Sequence, residues 1–147
     1  MIARLAIAGY RSIRTLTLEL APLTIVSGAN GSGKSNLYRA LRLLAEVAQG
    51  RIGSALAAEG GIRSAMWAGD VPVDRGRTAV PRAIRLGFAD SHYGYAIDLG
   101  LPIKRNEFGV DPEIKLEAMW TGERLGRANL FAERRGPMVR LRDAAGA

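Results

Sequence analysis

The sequence predicts an α/β fold on three observations: an apolar, β-branched run at residues 23–27 entering a glycine-rich loop, a helical apolar pattern after that loop, and repeated strand-like alternation in the second half. With 147 residues, 48% of them apolar, the chain has the size of one domain and enough apolar side chain for a core.

Residues 2–8 form a short apolar stretch, and Leu16, Leu18 and Leu20 alternate with Thr15, Thr17 and Glu19, the period of a half-buried strand. Pro22 then punctuates the chain. Residues 23–27 do not alternate, which predicts a strand covered on both faces. Beyond the loop, Leu37, Ala40, Leu41, Leu44, Val47 and Ala48 recur at spacings of three and four, so one long helix is expected from Ser35 to a stop at Gly50. A shorter helix is expected over 52–59, ended by Gly60 and Gly61, and a proline-containing loop over 68–81. Alternation resumes at Ile84, Leu86 and Phe88, then at Tyr95, Ile97 and Leu99, then from Ile114 to Trp120, with strands at 129–134 and 139–142. Turn-like stretches at 90–94, 121–126 and 135–137 make this an antiparallel meander.

Composition narrows the chemistry. The chain has no cysteine and one histidine, His92, so thiolate sites and histidine clusters are excluded and any metal is expected to be a hard ion held by oxygens. No window of about eighteen residues lacks charge and no signal-like segment opens the chain, which predicts no membrane partner and a cytoplasmic location. The net charge is +7, and eighteen of the twenty-one basic residues are arginine. Such charge suits phosphate or DNA contacts, with Arg124, Arg127, Arg134, Arg135, Arg140 and Arg142 as candidates. It equally suits a solvated sheet face.

Gly28, Ala29, Asn30, Gly31, Ser32, Gly33, Lys34 and Ser35 match the P-loop pattern G-x-x-x-x-G-K-[ST], the Walker A motif, in full. The glycines let backbone amides turn inward around a polyphosphate, and the following helix adds unpaired amides and a positive dipole end. Lys34 is expected at the outer phosphates and Ser35 as a magnesium ligand, with ATP and Mg2+ as the cofactors.

The run from Gly28 to Ser35, continued by Asn36 and Leu37, resembles the P-loop of ABC-type ATPases related to RecF and the structural-maintenance-of-chromosomes proteins. Gly9-Tyr10-Arg11-Ser12-Ile13 is similar to the element that precedes the loop in that group. Residues 59–62, 111–114 and 133–136 resemble a bacterial family of predicted AAA-type, RecF-like ATPases. The resemblance implies the amino-terminal portion of a P-loop NTPase, with strands flanking one main P-loop helix and an antiparallel β lobe beside it. On this reading 1–147 is a single, incomplete domain, with a P-loop core segment at 1–60 and the lobe at 82–143. It also implies that Arg11, Ser12 and Asn36 lie close to the nucleotide, and that the complete protein hydrolyses ATP, with a homodimer formed through the nucleotide site.

Three features of that group are not visible: an apolar strand ending in an acidic pair, a signature loop and a switch histidine. Asp98 is followed by Leu99 and Gly100 and reads as an outward residue of a hairpin strand; His92 reads as a turn residue. The catalytic residues are therefore unassigned. Two other functions stay open: a non-catalytic module that changes its surface when ATP binds, and a basic DNA-binding protein.

Overall fold

A computed structural model of the protein describes residues 1–69, 83–101 and 112–142. The expected proline-containing loop lies largely outside them. The elements run β1 (Arg4–Tyr10), β2 (Ile13–Glu19), α1 (Lys34–Ala48), α2 (Ile52–Ala58), α3 (Ile62–Ala65), β3 (Ala83–Ala89), β4 (Tyr93–Gly100), β5 (Glu113–Thr121), β6 (Leu130–Arg135) and β7 (Met138–Leu141).

The seven strands of the described residues form one antiparallel sheet in the order β2-β1-β3-β4-β5-β6-β7. The amino-terminal hairpin and the later meander are thus continuous, because β1 pairs with β3 in a register that sets Leu5 opposite Phe88 and Ile7 opposite Leu86. Alternation dictates what each face carries. Leu5, Ile7, Ile84, Leu86, Ile97 and Leu99 are buried on one face and cluster with Ala40, Leu43 and Leu44 of α1, Leu56 of α2, and Ile62 and Ala65 of α3. Each such Leu or Ile side chain contributes about 1.5–3 kcal/mol by leaving water. The intervening residues, including Ala6, Ala8, Arg85, Gly87, Ala96 and Asp98, point to the other face. There they surround a shallow apolar depression of about 310 Å³.

One expectation fails. Residues 23–27 are not a buried strand: no strand is assigned there, and Leu23, Ile25 and Val26 are 80%, 81% and 50% exposed. Among the described residues no strand lies alongside to accept their backbone hydrogen bonds, so extended, apolar chemistry alone cannot make them part of a sheet. The structure also adds α3, too short for periodicity to reveal.

Candidate functional site

The glycine-rich loop leads into the amino-terminal end of α1. Gly33 precedes the helix in a left-handed conformation, φ 96° and ψ 4°, and its carbonyl accepts the amides of Asn36 at 2.9 Å and Leu37 at 3.2 Å. The Ser32 amide turns back to the Ala29 carbonyl at 3.3 Å. Among the described residues the amides of Asn30, Gly31, Gly33, Lys34 and Ser35 have no acceptor. Unpaired donors at the positive end of a fifteen-residue helix are suited to an anion.

The Lys34 ammonium donates to the carbonyls of Gly28 at 2.5 Å and Ala29 at 2.7 Å, so the cation lies across the loop. Ser35 begins the exposed side of the same turn. Lys34 and Ser35 open onto a cavity of about 960 Å³, bordered also by Arg39 and Arg42 of α1 and by Arg11 and Glu59 on the facing side. Arg39 and Arg42 have no ion-pair partner among the described residues, whereas Glu46, on the same wall, is held by Arg51 at 2.8 Å. The volume falls at the upper end of the usual range for small-molecule sites. The depression on the opposite sheet face is smaller, mainly apolar and remote from the loop, and offers little to a phosphate.

The tip of the β1–β2 hairpin closes the site from the side. Tyr10 pairs with Ile13, leaving Arg11 and Ser12 as a two-residue turn. Arg11 has φ 48°, a conformation unusual for a side-chain-bearing residue. The Ser12 hydroxyl accepts a hydrogen bond from Asn36 Nδ2 at 2.8 Å, tying the turn to the first turn of α1. On the other side the Arg11 amide donates to Ala65 O at 2.8 Å, and the side chain pairs with Glu59. Ser12 and Asn36 therefore adjoin the loop, and Arg11 shares its cavity.

Glu59 and Tyr10 were not anticipated as site residues. The Tyr10 hydroxyl, on a wholly buried side chain, donates to the Glu59 carboxylate at 2.8 Å. Burial first, and the Glu59 contact second, push its pKa up to about 12. A signal existed for Glu59: a carboxylate just after a helix faces the negative end of the helix dipole and needs a partner elsewhere.

Two residues weighed as catalytic lie away from the loop. Asp98 in β4 faces the opposite side of the sheet and pairs with Arg85 at 3.2 Å; burial raises its pKa, and Arg85 opposes the shift. His92 is in the β3–β4 turn, where Asp90 accepts the His92 and Tyr93 amides at 2.7 and 2.8 Å.

Magnesium fits this donor set only in part. The Ser35 hydroxyl is a suitable hard ligand, and the described residues contain no carboxylate cluster that could hold a cation without the phosphates. No helix among the described residues is long and apolar enough to cross a membrane.

The sequence is similar to known proteins over its amino-terminal half. The DNA replication and repair protein RecF of Corynebacterium jeikeium (strain K411) is 43% identical over 54 residues, covering 36% of this chain and 13% of the relative, so the chain spans a small part of that protein's length. No solved structure matches. The model of the AAA ATPase domain family matches residues 1–79, which hold the hairpin tip, the glycine-rich loop and all three helices; this is more than half of the chain, and the chain belongs to that family.

Proposed function

We propose that the chain binds the polyphosphate of ATP, with magnesium, through Gly28 to Ser35. The observation that carries this is the set of unpaired amides of Gly31, Gly33, Lys34 and Ser35, gathered with the Lys34 ammonium at the start of α1. Lys34 meets the outer phosphates as a point charge, exchanging its bonds to the Gly28 and Ala29 carbonyls for phosphate oxygens. Ser35 holds the ion, which neutralises phosphate charge when bound. Ser12 and Asn36 keep the first helical turn in place, and Arg11 adds a second cation from the facing wall. Isothermal titration with a non-hydrolysable magnesium–ATP analogue tests the reading. Lys34→Ala is expected to abolish binding with an unchanged circular-dichroism spectrum, and unchanged affinity in that variant refutes it.

We assign ATP hydrolysis to a longer protein of which this chain is the amino-terminal part, acting as a homodimer through the nucleotide site. Glu46 and Glu59, the carboxylates that line the cavity, are engaged by Arg51 and Arg11, and Asp98 points away, so neither cavity carboxylate is free to orient water. The exposed run of Leu23, Ile25 and Val26 fits a strand whose neighbours lie in the remainder of such a protein. A phosphate-release assay on the chain is expected to show little turnover, and robust Lys34-dependent release would overturn this assignment. If the longer protein binds ATP without turnover, the non-catalytic module is the better description.

One observation favours DNA as an additional partner. Arg124, Arg127, Arg134, Arg135, Arg140 and Arg142 gather around β6, β7 and the preceding loop. There Arg135, aided by Arg140 and Arg142, holds the Glu133 carboxyl below its ordinary pKa. If these residues neutralise phosphates, affinity for duplex DNA falls steeply with ionic strength; absence of binding at low salt eliminates the reading.

A further inference from the structure

Glu59 follows directly on α2, where a negative charge does not help the helix. Among the described residues its side-chain hydrogen bonds all go to the β1–β2 hairpin. Arg11 Nε and Nη2 donate to Oε2 at 3.0 and 2.8 Å, and the Tyr10 hydroxyl lies 2.8 Å from each carboxylate oxygen. The Arg11 guanidinium carbon lies 5.8 Å from the centre of the Tyr10 ring. Ring, carboxylate and a turn at φ 48° thus fix one arginine side chain from three directions. One edge of its guanidinium, Nε and Nη2, is used by Glu59. Nη1 has no hydrogen-bond partner among the described residues, although Arg11 lines the same cavity as Lys34 and Ser35.

We propose that Glu59 is a positioning residue, which with the Tyr10 hydroxyl holds Arg11 so that its Nη1 edge is offered to the polyphosphate beside Lys34. The inference rests on the phosphate-binding reading above. A planar guanidinium already held by one edge loses little further freedom when its other edge meets an anion, whereas a free arginine must be ordered at the moment of binding. The strained turn fits this role, since such conformations persist where surrounding contacts over-determine them.

Charge alone predicts the opposite effect. Removing the Glu59 carboxylate makes the cavity more positive and should tighten an anion, so weaker binding in Glu59→Gln can come only from lost positioning. The experiment is a double-mutant cycle on the full chain, measuring affinity for the magnesium–ATP analogue in wild type, Glu59→Gln, Arg11→Ala and the double variant.

Glu59→Gln is expected to weaken binding about two- to tenfold, the range for freeing one long side chain. The double variant is expected to bind no worse than Arg11→Ala. Equal or tighter binding by Glu59→Gln overturns the proposal, as does a double variant weaker than Arg11→Ala by the full Glu59→Gln factor. Tyr10→Phe, which keeps the ion pair but releases the carboxylate, is expected to shift affinity in the same direction by less; should Glu59→Gln not fold, no shift in Tyr10→Phe overturns the proposal. A parallel Lys34→Ala arm separates the two readings. Lost binding there with Glu59→Gln unchanged keeps the phosphate site and removes the role of Glu59, whereas unchanged affinity in Lys34→Ala removes the site itself.

Discussion

Replacing Gly33 by alanine perturbs the glycine-rich loop at a point where the cost can be worked out from the structure. Gly33 has φ 96°, and a Cβ there would lie 3.1 Å from the Ser12 hydroxyl. Placing an L-residue in the left-handed region costs about 1–2 kcal/mol. The hydroxyl must also give way, which endangers its bond with Asn36, a contribution of about 0.5–1.5 kcal/mol. The sum is about 1.5–3.5 kcal/mol. Gly31 is the control: its φ is 83°, but a Cβ would meet nothing within 4 Å, so Gly31→Ala bears only the backbone cost. For a chain of this size each kcal/mol lowers the melting temperature by about 3–4 °C. Gly33→Ala should therefore melt about 2–6 °C below Gly31→Ala, and adding Ser12→Ala to both should remove most of that difference. Calorimetric melting of Gly33→Ala and Gly31→Ala, each with and without Ser12→Ala, checks it. Equal melting of the two glycine variants, or a difference that survives Ser12→Ala, would refute the contact and the coupling of hairpin to loop that it represents.

Two further predictions concern the sheet and its hairpin. Tyr10 loses its proton near pH 10 in the unfolded chain and near 12 in the folded one, so its contribution is fully present below pH 10 and is lost as pH rises from 10 to 12. Urea titrations should show wild type losing about 2–3 kcal/mol more than Tyr10→Phe across that window, and parallel curves would contradict the buried Tyr10–Glu59 contact. At Gly94, a Cβ would overlap the buried Trp120 ring. Gly94→Ala should cost about 1–3 kcal/mol and shift tryptophan emission to the red, whereas an unchanged spectrum and urea midpoint would show that the indole does not lie on that glycine.

Much of the candidate site was legible because its information is local. Eight consecutive residues from Gly28 to Ser35 carry the glycines, the ammonium and the hydroxyl, and the next turns carry the helical period that places amides behind them. The alternation of Ile84, Leu86 and Phe88, or of Tyr95, Ile97 and Leu99, likewise told strand and face correctly, because successive side chains of a strand must point to opposite sides. The run at 23–27 misled for a related reason. Apolar, β-branched chemistry reports a capacity to enter a sheet, while membership depends on a neighbouring strand that the sequence of the run does not contain.

The chain by itself therefore determined the glycine-rich loop, the helix behind it and the strand faces, since each follows from residue spacing along one backbone. Tertiary structure alone decided that the first hairpin joins the later meander through β1 and β3, and that Glu59 meets Arg11 and Tyr10 across 48 and 49 residues. Contacts over such separations depend on how whole elements pack, and no local period encodes them.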